Sequence, residues 1–89
     1  MFRVVLTKRA EKSYTGLTQD VQNRCSDIFD ELQYSLAPIR LDVKKLKGHE
    51  DTYRIRLWGW RIIYKVDKIN KLIVVYDILS RKTAYREFK

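Results

Sequence analysis

The sequence predicts an α+β domain in which two N-terminal helices pack on one face of a small, mainly antiparallel, twisted β-sheet. Three observations carry this. Val21, Cys25, Ile28, Phe29, Leu32 and Leu36 recur at the spacing of an amphipathic helix. The stretch TYRIRLWGWRIIYKV (Thr52–Val66) alternates in polarity on both sides of Trp58-Gly59, which reads as a hairpin with a two-residue turn. Leu72–Leu79, after the turn-like DKINK, is one more apolar strand.

Each element has its own signal. Phe2–Thr7 is a short apolar, β-branched run, an edge or second strand. Thr7 caps a first helix whose inner face is Ala10, Tyr14 and Leu17, and Gly16 stops it. Thr18 opens the second helix, with Asp20 in its first turn to favour the dipole, and Pro38 prevents its continuation. Residues 39–51 form a basic connector with a short strand around Val43–Leu46. In the hairpin, Leu57 pairs with Trp60 and Arg56 lies across from Arg61. Tyr53, Ile55 and Leu57 then share the core face with Trp60, Ile62, Tyr64 and Val66, while Arg54, Arg56, Arg61, Ile63 and Lys65 look away. A five-residue loop would pair Val66 with Leu72, Ile62 with Tyr76 and Arg61 with Asp77. That register puts Leu72, Val74, Tyr76 and Ile78 beneath the helices, and Asp77 and Arg81 among the arginines. With no repeat, low-complexity stretch or linker, residues 1–89 read as one domain.

Charge and composition narrow the function. Nineteen Lys and Arg against eleven acids leave +8, a balance that suits nucleic acid or an acidic protein partner. The 45% hydrophobic content argues against intrinsic disorder. A lone Cys25 excludes an internal disulfide framework and fits a reducing, cytoplasmic setting; on the buried stripe it reads as a packed thiol. The N-terminal apolar run is too short for a signal peptide, and no segment is suited to span a membrane.

Like charges opposite each other in a sheet cost up to about 1 kcal/mol, so the Arg56/Arg61 pairing serves a polyanion better than it serves a fold. Arg54, Arg56, Arg61 and Arg81 on one face would bind a phosphate backbone and stabilise a phosphorane-like transition state. Lys44, Lys45 and Lys47 of the connector, with Trp58 in the turn, are the further RNA-binding candidates, and Trp58 and Tyr85 are placed to stack bases. One histidine and one cysteine make no zinc site, and no carboxylate cluster or Gly-rich phosphate loop stands out, so neither metal nor cofactor is expected. Metal-free chemistry on RNA is attack of a 2′-hydroxyl on the adjacent phosphate. His49, in a Gly-His-Glu-Asp loop, titrates near neutrality but reads as a solvated loop residue.

The ordered trio of KLKG (Lys45–Gly48), Y-R-I-R-x-x-x-x-R-x-x-Y (Tyr53–Tyr64) and R-x-x-x-Y (Arg81–Tyr85) resembles the RelE/ParE superfamily of toxin–antitoxin toxins, over nearly the whole chain. RelE-type members are ribosome-dependent endoribonucleases that cut mRNA. ParE-type members share the fold, poison DNA gyrase and generally lack the basic cluster with its terminal tyrosine. The resemblance implies a cytoplasmic RelE-type mRNA interferase that inhibits translation. Its partners would be the ribosome, mRNA and an acidic, partly disordered antitoxin, with operator DNA met only through that antitoxin. By matching positions, Arg54, Arg56, Arg61 and Arg81 would bind the scissile phosphate and Tyr85 would sit at the 2′-hydroxyl. Well-known RelE members carry lysines at the two hairpin positions where this chain has Arg54 and Arg56. An arginine is a poorer proton acceptor, which moves the role of base towards Tyr85.

Overall fold

The computed structural model describes residues 1–88, with Tyr85, Glu87 and Phe88 described in their backbone alone. The described chain runs β1 (Arg3–Leu6), α1 (Lys8–Thr15), α2 (Gln19–Leu32), β2 (Asp42–Lys45), β3 (Thr52–Leu57), β4 (Trp60–Asp67), β5 (Leu72–Ser80) and α3 (Arg81–Phe88). The strands form one sheet in the order β1-β5-β4-β3-β2; β1 is a parallel edge strand and every other pairing is antiparallel. The α+β expectation holds, with α3 added where only a tail or helical start was foreseen.

Thr7 caps α1 by accepting a hydrogen bond from the Ala10 amide at 3.0 Å, and Gly16 closes the helix. The α2 stripe of Val21, Cys25, Ile28 and Leu32 is buried, although the helix stops at Leu32 rather than running to Leu36. With Ala10 and Leu17, that stripe packs on Ile55, Leu57, Ile62, Tyr64, Val66, Ile73, Val75 and Ile78 of the sheet. Cys25 is completely buried, and burial pushes its thiol up to about 11. Tyr64 is enclosed as well: its ring stacks on Tyr53 at 5.5 Å, and its hydroxyl donates to the Leu36 carbonyl at 2.6 Å.

The hairpin register is the one the sequence predicts, with Leu57 opposite Trp60 and Arg56 opposite Arg61. Trp58 takes a positive φ of 51° to make the turn. The expected β5 register is corrected. Asp67, not Val66, pairs with Leu72, because the Asp67 carboxylate accepts from the Asn70 amide at 3.0 Å and from its Nδ2 at 2.9 Å, which shortens the loop. Ile73 and Val75 therefore lie in the core in place of Leu72 and Val74, and Tyr76 is exposed. A bulge follows: Tyr64 pairs with Val75 but Ile63 with Asp77, so Tyr76 is an extra residue. Beyond it Ile62 meets Ile78, not Tyr76, and Arg61 meets Leu79, not Asp77. Ile78 thereby regains the core face expected of it.

Candidate functional site

The sheet face away from α1 and α2 bears a groove of about 1030 Å³. Its walls come from β2, β3, β4, the residues after β2, and α3. Among the described residues they carry nine cationic side chains (Lys44, Lys45, Lys47, Arg54, Arg56, Arg61, Arg81, Lys82 and Arg86) with Ile63 and Ala84. Beneath them lies a second small core of Leu46, Ile63, Leu79 and Ala84. Ile63, whose parity directs it away from the helices, is thus buried by α3 docking across the sheet. Ser80 starts α3: its hydroxyl accepts from the Thr83 amide at 3.3 Å, and the Arg81 amide donates to the Gly59 carbonyl of the hairpin turn at 2.8 Å.

Arg61 is the anchored member of the set. It is 6% exposed, and Nη1 donates to the carbonyls of Trp58 at 3.0 Å and Trp60 at 2.8 Å. Those bonds fix the guanidinium, and no described residue accepts from Nε or Nη2. That edge has the fork geometry by which a guanidinium can take a phosphate through two parallel hydrogen bonds. Burial, then the charges of Arg56, Arg54 and Arg81, lower the Arg61 pKa, and Asp42 partly opposes them. An arginine starts so high that it remains charged at neutral pH. Arg54 and Arg56 stand 3.8 and 3.7 Å from the Asp42 carboxylate, pairs too open and too exposed to neutralise the face. A groove with this potential is suited to a polyanion, and its fixed guanidinium to a phosphate.

Comparison with known proteins follows the same outline. The family described as ParE toxin of type II toxin-antitoxin system, parDE, matches residues 4–85. The chain belongs to this family of type II toxins. It is 32% identical to a toxin named RelE3 from Methanocaldococcus jannaschii over 88 residues, which is 97% of this chain and 98% of that toxin. Among solved structures, the archaeal RelE-RelB complex from Pyrococcus horikoshii OT3 matches at TM-score 0.81 and 32% identity, over 90% of this chain and 94% of that one. The isolated E. coli RelE toxin matches at TM-score 0.78 and 24% identity, over 98% and 94%, a likeness of fold.

Within this toxin, Arg54, Arg56, Arg61 and Arg81 all reach one groove, and Lys44, Lys45 and Lys47 line the same cavity. Arg81 gets there as the first residue of α3 rather than from the last strand. Trp58 is 64% exposed at the hairpin turn and lies outside the groove lining, as does His49 in the loop after β2. Tyr85 falls in α3, one turn beyond Arg81, and its side chain lies outside the described residues. Asp77 leaves the arginine face altogether, since its carboxylate is bound by Arg9 and Ser13 of α1. Sequence reasoning missed Lys82, Arg86 and the acid Asp42. The signal for the first two was Ser80 followed by good helix formers, a capped start that would have placed both on a helix.

Proposed function

We propose that this toxin is an endoribonuclease that cuts mRNA on the ribosome and so stops translation. The observation that supports it most is Arg61, buried and fixed by two carbonyls within a groove whose other charged lining groups are, among the described residues, all basic. In the reaction, the 2′-oxygen forms a bond to the adjacent phosphorus and the bond from phosphorus to the 5′-oxygen breaks. The 2′ proton passes to a base and the 5′-oxygen takes up a proton, leaving a 2′,3′-cyclic phosphate and a 5′-hydroxyl. Arg61, Arg81, Arg54 and Arg56 stabilise the extra negative charge of the pentacoordinate state. The arginines hold their protons, so Tyr85, at the position matching the family's tyrosine, serves as the base.

The family description favours a second reading, a ParE-type gyrase poison without nuclease activity. The Arg61, Arg81 and Tyr85 set, which ParE-type toxins generally lack, supports the nuclease instead. The partner is an antitoxin, as the solved RelE-RelB relatives suggest, and the basic groove suits an acidic, extended one, with any operator DNA bound through it and the toxin acting in the cytoplasm. The test is cleavage of ribosome-bound mRNA with chelator present at a level that leaves the ribosome assembled. Fragments ending in a cyclic or 3′-phosphate are expected. Fragments with a 3′-hydroxyl, or arrested gyrase with intact mRNA, would overturn the reading.

A further inference from the structure

Far from the groove's open side, three residues of α1 and its cap converge on the β5 bulge. Asp77 is 2% exposed, and its carboxylate accepts from Arg9 Nε at 2.7 Å, from Ser13 Oγ at 2.6 Å and from the following Ile78 amide at 2.7 Å. Thr7 Oγ1, which caps α1, also donates to the carbonyl of the bulged Tyr76 at 2.7 Å. The Arg9 guanidinium stands 5.8 Å over the Tyr76 ring. A bulge takes backbone groups out of the ladder, and here α1 supplies partners on both sides of the extra residue. A buried, paired carboxylate is weak evidence of added stability, since a well-packed apolar set replacing all its partners often does as well; what this arrangement fixes is geometry.

That geometry has a consequence at the groove. Ile73 and Val75 face the helices, so unbroken alternation would send Leu79 to the helices and Ile78 to the groove. The extra residue reverses this: Ile78 enters the main core, and Leu79 joins Ile63 and Ala84 in the groove floor. Two residues after Leu79 the chain delivers Arg81, whose amide is tied to Gly59. We propose that Arg9, Ser13 and Asp77 form a positioning clamp that holds the β5 bulge and thereby places Arg81 and α3 on the groove. Asp77 touches no substrate; it acts through Arg81.

The activity arm of the test rests on the nuclease reading, and a second arm does not. Single-turnover cleavage is measured for Asp77→Asn, Arg81→Ala and the double variant. Asp77→Asn should slow cleavage by about 10²-fold, the order expected when a catalytic group is displaced by an ångström. In the Arg81→Ala background the same change should cost clearly less, on the order of tenfold, because Arg81, one of the groups it positions, is gone and only the displacement of the rest of α3 remains. An equal loss in both backgrounds would reduce the clamp to general structural support and overturn the proposal. Amide hydrogen exchange is followed alongside. In Asp77→Asn, exchange from Ile78 to Ala84 should speed up roughly tenfold while α2 keeps its protection. Unchanged exchange there, or uniform acceleration everywhere, also overturns it. If the unmodified protein cleaves no RNA, the nuclease reading fails and exchange alone decides the clamp. If Asp77→Asn does not fold, Ser13→Ala carries both arms with a smaller expected loss of about three- to tenfold.

Discussion

The two faces of this sheet are built from the same strands and do opposite things. On the helix-covered face, Ile55, Ile62, Tyr64, Ile73 and Val75 are sealed against α1 and α2. On the other, an apolar floor of Leu46, Ile63, Leu79 and Ala84 carries, among the described residues, nine cations around an open groove. The first face removes apolar surface from water and holds the fold together. The second keeps like charges close, with Arg56 directly opposite Arg61, and that repulsion works against folding. Two adjacent residues show the division: Ile62 belongs to the main core and Arg61 to the groove. In such a small domain, one face supplies the stability that lets the other hold a strained electrostatic arrangement ready for an anion.

The sharpest way to break this comparison is on the groove side. Tyr85→Phe keeps the ring and removes only the hydroxyl. If Tyr85 is the base, single-turnover cleavage should slow by roughly 10²–10⁴-fold with RNA binding little changed. A loss below about tenfold would send the search for the base to His49 or the Lys44–Lys47 run. On the covered face, Ile62→Ala empties a fully buried site and should cost about 2–5 kcal/mol in denaturant unfolding. A cost under 1 kcal/mol would mean that the stability lies elsewhere. The smallest effect sharpens the electrostatic half. Asp42→Asn removes the acid beside Arg54 and Arg56, and should tighten binding of a single-stranded RNA about two- to threefold at low salt, with the gain fading at high salt. Weaker binding in that variant would show that Asp42 orders the arginines rather than opposing them.

How much of this was legible in the sequence depended on how local each determinant is. The β3–β4 register needed only a two-residue turn and alternation, so Arg54, Arg56 and Arg61 were placed correctly from residues 52–66 alone. The capped start of α1 and the α2 stripe were equally local. The β5 register was not. Its first half hangs on an Asp67–Asn70 turn that shortens the loop by one residue. Its second half hangs on a bulge held by Ser13, 64 residues away in the chain. Two errors of parity cancelled, which is why Ile78 lies in the core as expected, while Tyr76 is exposed and Asp77 is buried against α1 instead of standing among the arginines. The groove walls failed for a related reason. Lys82, Arg86 and the burial of Ile63 depend on α3 docking over Leu79 through Ala84, and although Ser80 marks a helix start, a single alanine gives too faint a stripe to show which face docks.

The central claim is that the open face carries the function and the covered face the fold, and Arg81 tests it most directly. It is exposed, lies at the start of α3 and lines the groove. Cleavage of ribosome-bound mRNA and the melting temperature should be measured on one preparation of Arg81→Ala. The account predicts a rate at least about a hundredfold lower, near 3 kcal/mol of lost transition-state stabilisation, with thermal stability essentially unchanged. Undiminished cleavage by a well-folded Arg81→Ala protein would contradict it.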